Sequence, residues 1–205
     1  KIPLGVNTSL FNLANKNKKE FLRKSLGIPK HAILIGSFQK DGSGWKDGFD
    51  PKLIKGPDLF VSTLKLLASW GYPVFALLTG PARGFVKNEL EKAGISYFHT
   101  YPKNHNELIS LYQALDIYLI TSREEGGPMG LLESIACGIP VASTNVGMVK
   151  DVISDKVTGV IANIIDEENI AKKVEYLIKM SEEQKNDLQK YARKSILKFD
   201  WKVVA

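Results

Sequence analysis

Two glutamates on either side of a glycine-rich turn are the first residues whose spacing could support chemistry. Glu125 lies just before the turn, and Glu133 lies inside the helix that Pro128 should begin. Gly126 and Gly127 would let a ligand approach the backbone closely, and the N–H groups of a helix's first turn bind phosphate. Carboxylates only accept hydrogen bonds, so they suit the hydroxyl groups of a sugar. The pattern suggests a ligand with hydroxyls at both ends and phosphate between, as in a nucleotide-sugar, although an ordinary turn beside a helix would look the same.

Two lysines at other turns could complement that anionic centre. Lys40 follows the first apolar run, and Lys55 comes just before Gly56 and Pro57 at the start of a helical pattern. A lysine there adds a point charge to the helix dipole, which favours a diphosphate. Gly147, at the start of a later helix, could likewise close over a phosphate. Lone lysines are usually solvated, so these roles require that the turns converge.

Short apolar runs alternate with amphipathic stretches along the chain, and this alternation predicts the elements that must position those residues. Strands are predicted at 32–38, 73–79, 95–98, 117–120, 140–143 and 159–162. Helices are predicted at 57–70, 85–93, 107–114, 129–137, 148–153, 167–180 and 182–197. Such alternation requires crossover connections. It predicts an α/β fold, a doubly wound parallel sheet (Rossmann-like) with helices on both faces, in a single domain over 1–205. In this fold, ligands bind beyond the carboxyl ends of the strands.

The composition fits one globular domain of ordinary size. The 205 residues are 44% hydrophobic, and the 28 basic and 22 acidic residues give a formal charge of +6, which favours anionic partners. The three tryptophans do not form an interleaved aromatic and basic pattern, so nucleic-acid binding is not indicated. No window of about 18 apolar residues occurs, so no membrane span is expected. The basic stretch at 15–24 is interpreted as a solvated helix face.

Several kinds of site are not supported by the sequence. The single cysteine, Cys137, excludes an internal disulfide framework and a cysteine zinc site, and it favours a reducing compartment. The three histidines show no metal-ligand spacing. Neither the Gly-x-Gly-x-x-Gly fingerprint of dinucleotide binding nor a P-loop motif occurs. The chain does not begin with Met and ends abruptly, so we expect it to be a piece of a longer protein.

The segment 122–142 resembles the signature of retaining glycosyltransferases with the GT-B fold, of the group 1 (family 4) type. Their pattern is a glutamate, seven residues and a second glutamate, followed by a helix of small residues and Cys-Gly-x-Pro-Val, which is found here at 137–141. Further matching segments occur in family order along nearly the whole chain, at 2–7, 26–29, 55–56, 111–117, 151–159 and 199–201. The resemblance implies the C-terminal, donor-binding domain of a two-domain enzyme whose N-terminal acceptor domain is absent from this sequence.

The resemblance also implies a role for each candidate residue. Glu125 would contact the donor sugar and Glu133 the nucleotide ribose, while Lys40 and Lys55 would stabilise the diphosphate. Lys46 competes with Lys40 for that assignment. Further substrate-binding positions would be Ser122, Gly126, Gly127, Gly147 and Tyr101, the last at the nucleotide base. No metal and no other cofactor is expected, because lysines and helix dipoles would stabilise the leaving nucleoside diphosphate.

Partners and location follow from the same resemblance. The implied partners are a nucleotide-sugar and the missing N-terminal domain of the same protein, with no nucleic acid. A peripheral membrane contact through the full-length enzyme is a further expectation. The implied location is the cytoplasm, extending to the inner face of a membrane. The isolated domain is expected to be inactive.

Departures from the family pattern keep other functions open. Gly127-Pro128 stands where the family has Phe-Gly, and the proline lacks an N–H that donor sugar or phosphate would use. Lys40 stands where the family usually has an arginine, and a lysine cannot make the bidentate contact to phosphate that an arginine makes. Gly147-Met148 replaces a Gly-Gly turn, and the loop 41–54 is longer than the usual connection. The alternatives are a non-catalytic sugar-nucleotide-binding module and a nucleotide-sugar or phosphosugar epimerase or isomerase domain.

Overall fold

A six-stranded sheet forms the centre of the protein in the computed structural model, which describes residues 4–44, 46–163 and 165–204. The strands are β1 Ile33–Phe38, β2 Val74–Thr79, β3 Tyr97–Thr100, β4 Ile117–Ile120, β5 Val141–Thr144 and β6 Val160–Ala162. They pair in parallel in the order β3-β2-β1-β4-β5-β6. The predicted doubly wound sheet is confirmed, and the strand order reverses between β1 and β4, where this fold forms its ligand crevice.

Nine α-helices accompany the strands in the described part of the chain. They are α1 Lys16–Ser25, α2 Pro57–Ser69, α3 Gly84–Lys92, α4 His105–Ala114, α5 Met129–Ala136, α6 Val149–Val152, α7 Glu167–Lys179, α8 Glu182–Ile196 and α9 Trp201–Val204. Short 3₁₀ turns precede α2 and follow α8, at Leu53–Lys55 and Leu197–Phe199. The predicted helices agree with α2–α8 to within two residues. Ile2 and Pro3 of the hinge-like segment lie outside the described residues, as does Trp45.

Two hydrophobic cores, one on each face of the sheet, show why the helices cover both faces. Within β1, Leu34 packs against one face and the next residue, Ile35, against the other, because side chains alternate along a strand. The Leu34 core includes Leu131 of α5 and Tyr112 of α4, and the Ile35 core includes Phe60 of α2. The prediction of helices on both faces is confirmed.

The basic stretch near the N-terminus forms α1, and part of it is structural. Lys19 and Arg23 donate to the two carboxylate oxygens of Asp116, at 2.7 and 2.6 Å, and the backbone N–H of Leu34 donates to Asp116 at 2.8 Å. The outer residues of α1, such as Lys18, are exposed as the interpretation of a solvated face required. One carboxylate therefore fastens α1 to the sheet.

The long irregular stretch after β1 folds back on itself as a hairpin-like loop. An isolated antiparallel bridge joins Gly42 to Pro51, and the N–H of Phe85 donates to the Gly48 carbonyl at 3.0 Å. The loop is therefore packed against the start of α3, and it returns the chain to the 3₁₀ turn that carries Lys55.

Candidate functional site

A cleft of about 360 Å³ opens at the carboxyl ends of β1, β2 and β4, next to the point where the strand order reverses. Its walls include four of the residues singled out from the sequence, Lys40, Tyr101, Glu125 and Glu133. The turns that carry them are far apart in the chain. The turn that carries Lys40 therefore converges with the turn and helix that carry the two glutamates at this edge of the sheet.

Lys55 joins the site through Glu125. Its Nζ forms a close ion pair with Oε1 of Glu125, and the Ser122 hydroxyl donates to the same oxygen at 3.3 Å. The Lys55 turn is held against the end of β4 by a hydrogen bond from the Thr121 hydroxyl to the Gly56 carbonyl at 2.7 Å. Three predicted residues from two distant turns thus form one polar cluster with both signs of charge.

A second ion pair braces this cluster, and the sequence did not reveal it. The guanidinium of Arg123 donates to both carboxylate oxygens of Asp58, at 2.8 and 2.6 Å, and also to the Leu53 carbonyl at 2.6 Å. Burial opposes ionisation of Asp58, but the hydrogen bonds and charge of Arg123 lower its pKa overall. The planar fork of an arginine suits such a bidentate contact, so the start of α2 is tied to the turn after β4.

Glu133 lies on α5 and is one of the residues that line the cleft. The Tyr112 hydroxyl of α4 donates to its Oε2 at 2.8 Å. Burial raises the pKa of the Glu133 carboxyl, while the Tyr112 hydrogen bond and the positive field of His105 partly offset that rise. Glu125 and Glu133 therefore flank the start of α5 in different environments, one ion-paired and one held by a tyrosine.

The first turn of α5 carries no side-chain cap. Pro128 occupies the N-cap position, and its carbonyl accepts a hydrogen bond from the Leu131 N–H at 3.0 Å. A side chain at Gly130 would place a Cβ 2.2 Å from the Tyr118 hydroxyl, so glycine is required where β4 meets the helix. The predicted phosphate position at this helix start remains a prediction.

The two predicted turn glycines differ in their surroundings. A Cβ on Gly126 would meet nothing within 4 Å, so this position is open to a ligand. Gly127 lies against Leu4, whose Cδ1 would be 2.5 Å from such a Cβ. Gly147 has φ +50° and lies against the backbone carbonyls of Glu125 and Gly126, so it packs the β5 turn onto the glycine-rich turn.

Two lysines were candidates for the same phosphate position, and the structure separates them. Lys40 is half-buried and lines the cleft, whereas Lys46 is exposed on the loop after β1 and is not part of the cleft wall. Tyr101, at 67% exposure, lies at the cleft margin just after β3. The placement favours Lys40 over Lys46.

Arg83 is a structural residue of the site that sequence reasoning missed. This fully buried guanidinium donates to the carbonyls of Ser37, Gln39 and Thr79 at 2.6, 3.0 and 2.9 Å, which joins the ends of β1 and β2. Its Nε lies 3.0 Å from Asp41, an ion pair without hydrogen-bond geometry. Burial raises the pKa of Asp41 against the opposing charge of Arg83. Arg83 thereby fixes the backbone on which Lys40 is carried.

Other sequence predictions concern residues away from the cleft. Cys137 is buried at the end of α5, and burial raises the pKa of its thiol to about 12. Among the described residues, no group of three His, Cys, Asp or Glu side chains is arranged to hold a metal ion. Within the same ranges, no helix has the length and apolar character needed to cross a membrane.

Fold and cleft together define an α/β domain with a cleft at the carboxyl edge of a parallel sheet. Residues 50–195 match the model of the family described as Glycosyl transferases group 1. This match covers more than half of the chain, so the chain belongs to the group 1 glycosyltransferase family.

One similar curated protein is much longer than the region that it shares with this chain. The lipopolysaccharide core biosynthesis mannosyltransferase LpsB of Rhizobium meliloti (strain 1021) is 33% identical over 139 residues, which are 64% of this chain and 37% of that protein. The chain spans less than half the length of the curated relatives it matches.

Two solved structures share the fold. The C-terminal domain of the group 1 family glycosyl transferase LpcC from Francisella tularensis has a TM-score of 0.74 at 22% identity, over 96% of this chain and 100% of that one. Anabaena Alr3699/HepE, solved in complex with UDP-glucose, has a TM-score of 0.77 at 19% identity, over 96% of this chain and 52% of that one.

Proposed function

We propose that this chain is the C-terminal, donor-binding half of a group 1 glycosyltransferase and that its cleft binds a nucleoside diphosphate sugar for retaining transfer. One observation carries the proposal. Glu125 and Glu133 line the same cleft on either side of the first turn of α5, and Lys55 is paired with Glu125 at its edge. Family membership and the UDP-glucose complex of HepE support the ligand class.

The proposed ligand would lie across the start of α5. Glu133 would accept a hydrogen bond from the ribose, and Glu125 from hydroxyls of the donor sugar, because ionised carboxylates only accept hydrogen bonds. Lys40 and Lys55 would face the diphosphate between them. Ser122, Gly126, Gly127 and Gly147 would shape the sugar and phosphate end, with Tyr101 at the base.

Transfer would require stabilisation of the leaving nucleoside diphosphate. The lysines and the uncapped first turn of α5 offer positive charge and N–H groups where negative charge would develop. Lys55 would move its contact from Glu125 to the phosphate, which would release the Glu125 carboxylate toward the sugar. We propose no metal in this step.

The acceptor would come from the other half of the protein. The half-length coverage of HepE and the full coverage of the LpcC domain support a separate N-terminal domain. The 205 residues alone should therefore bind donor and transfer little; transfer by this chain alone would contradict the proposal. The cytoplasmic location and the peripheral membrane contact stay predictions.

A second function has one observation in its favour. Pro128, at the N-cap of α5, lacks an N–H that a donor could use, which would suit a sugar-nucleotide-binding module without transfer activity. The full-length protein separates the two functions, because a binding module would leave a nucleotide-sugar intact with any acceptor. The epimerase or isomerase alternative has no support in the family match.

Binding of nucleoside diphosphates tests the proposal directly. We expect UDP-glucose or GDP-mannose, or the free diphosphates, to raise the melting temperature of the chain by mass action. Glu133→Gln should weaken binding of the preferred nucleotide about tenfold, the usual scale for a hydrogen bond to a charged group. Isothermal titration calorimetry measures this change.

The matched control is Glu175→Gln. Glu175 also accepts a hydrogen bond from a tyrosine hydroxyl, that of Tyr72, at 2.8 Å. It lies on α7, however, and is not among the residues that line the cleft. Its substitution should leave affinity unchanged. Equal affinities for the Glu133 variant and the parent chain would contradict the assignment of the ribose contact.

A further inference from the structure

Tyr112 is held rigidly behind Glu133 by an aromatic cluster. It is 1% exposed, and its ring centroid lies 4.6 Å from that of Phe38 and 5.4 Å from that of Tyr118. A buried ring packed on several sides has little rotational freedom. Its hydroxyl is therefore a fixed donor, and it meets Glu133 Oε2 at 2.8 Å.

The contact fixes the orientation of the Glu133 carboxylate. A glutamate side chain normally turns freely about its last bonds, and ordering it costs conformational entropy. The Tyr112 hydrogen bond holds Oε2 in place and so fixes the plane of the carboxylate. A ligand hydroxyl in the cleft therefore meets a carboxylate that is already oriented. Pre-ordering of this kind strengthens binding of the matching hydroxyl without adding a contact to the ligand.

We propose that Tyr112 is a positioning residue that aims the Glu133 carboxylate at a ribose hydroxyl and thereby makes the site discriminate ribonucleotides from deoxyribonucleotides. The inference rests on the proposed function, since it assigns the ribose to Glu133. The inference adds a role for Tyr112, which does not contact the ligand hydroxyl. It also adds a preference for ribonucleotides that depends on Tyr112. Tyr112 is on α4, so the discrimination would depend on how that helix packs against α5.

The same helix carries a second group that acts on Glu133. His105 and Tyr112 are seven positions apart on α4 and so lie on the same side of it. The groups that interact electrostatically with the Glu133 carboxyl include the hydroxyls of Tyr112 and Tyr118, the His105 imidazole and the Cys137 thiol, and Lys40 and Glu125 line the same cleft. Burial raises the pKa of Glu133 and the Tyr112 bond opposes this, so loss of the bond should raise that pKa further.

The experiment compares UDP with its 2′-deoxy and 3′-deoxy analogues, with the guanosine set in parallel, by calorimetry. The parent chain should bind one of the two deoxy analogues about tenfold more weakly than the ribonucleotide. In Tyr112→Phe, which keeps the ring, the ratio of the deoxy analogue's Kd to the ribonucleotide's Kd should fall from about ten to about three or less. The affinity for the deoxy analogue itself should stay constant, whereas general damage to the fold would weaken both ligands.

Two further measurements separate positioning from packing. Tyr72→Phe removes the matched hydroxyl that donates to Glu175 and should keep the parent ratio. With UDP-glucose, whose phosphates stay ionised, affinity should fall on acidification as Glu133 takes up a proton. Tyr112→Phe should make that fall smaller and move it to higher pH, and Glu133→Gln should abolish it.

The outcomes also distinguish the two levels of the proposal. A parent-like ratio in Tyr112→Phe, or equal losses for ribo- and deoxyribonucleotide, would overturn the positioning role and leave the nucleotide site standing. Equal binding of all analogues by the parent chain would overturn the ribose assignment and the inference with it. Absence of any binding of either nucleotide set would overturn the proposed function itself.

Discussion

Lys55 and Glu125 are 70 positions apart in the chain and form an ion pair at the edge of the cleft. Their side chains are 30% and 17% exposed. Ion pairs with this access to water contribute roughly 0–1 kcal/mol to folding. A lysine that contacts the phosphate of a ligand changes binding affinity by more than such an ion pair changes stability. We therefore interpret the pair as part of a binding site.

Replacement of Lys55 by alanine tests that interpretation. Lys55→Ala should weaken binding of UDP or GDP about tenfold and reduce the dependence of affinity on salt, because one charge contact to the diphosphate is lost. The free energy of unfolding should change by less than about 1 kcal/mol. Calorimetry at two ionic strengths and urea unfolding give the two quantities.

Lys65→Ala is the matched control for this lysine. Lys65 also pairs with a glutamate, Glu89, at 3.1 Å, but Glu89 is not among the residues that line the cleft, whereas Glu125, the partner of Lys55, is. Its loss should alter neither affinity nor salt dependence. Similar affinities in the two lysine variants would rule out a diphosphate contact by Lys55.

Two elements, the 3₁₀ turn before α2 and the end of β4, are clamped together to place that lysine. Gly56 has φ +63°, and a Cβ there would come 1.9 Å from the Thr121 carbonyl oxygen. The backbone N–H of Arg123 donates to the Ile54 carbonyl at 2.8 Å. The close approach of two backbones, which only glycine allows, sets the distance between Lys55 and the β4 turn.

Gly56→Ala should lower the free energy of unfolding far more than the same substitution at a glycine whose added Cβ would meet no other atom. The left-handed conformation costs about 1–2 kcal/mol for any other residue, and the clash with Thr121 adds to it, so we expect a total of about 3 kcal/mol or more. Gly94 has a similar φ, +66°, but a Cβ there would meet nothing within 4 Å, so Gly94→Ala should cost only about 1–2 kcal/mol. Urea unfolding measures both.

The element-scale prediction has a functional component. If the clamp positions Lys55, Gly56→Ala should also lose nucleotide affinity under conditions where it remains folded, while Gly94→Ala should not. If the two substitutions lowered the free energy of unfolding equally, the close contact between Gly56 and Thr121 would not be the reason why glycine is needed at position 56.

At the scale of the whole molecule, Asp116 joins the N-terminal helix to the middle of the sheet. Burial opposes its ionisation, but the charges of Lys19 and Arg23, together with hydrogen bonds, lower its pKa overall. A carboxyl whose pKa is lower in the folded state stabilises the fold above its unfolded pKa, near 3.9. This stabilisation is lost as the pH falls through the lower, folded value.

Asp116→Asn should therefore change how stability depends on pH. At neutral pH the variant should be less stable by about 1–3 kcal/mol, because two cations lose their partner. Between about pH 5 and pH 2 its free energy of unfolding should fall less steeply than that of the parent chain. Urea titrations across this range test it, with the exposed Asp187→Asn as control. Parallel curves for the Asp116 variant and the parent would contradict the assigned role.

Much of this site could be predicted because a local sequence pattern marks each of its key residues. The spacing of Glu125 and Glu133 is contained within a turn and the helix after it, and Lys55 precedes a helix start that Pro57 makes visible. Tyr112 and Arg83 could not be assigned from the sequence. Their partners, Glu133 and the end of β1, are 21 and more than 40 positions away.

The sequence by itself determined the order and type of the elements, since the period of apolar residues is a local property that burial on a sheet or helix face imposes. It also placed the candidate residues at turns following strands. Only the tertiary structure decided which turns meet, that Lys40 and not Lys46 reaches the cleft, and which donor holds Glu133. Hydrogen bonds and ion pairs act over about 3–4 Å, and such distances between remote segments depend on strand order and helix packing, which periodicity does not specify.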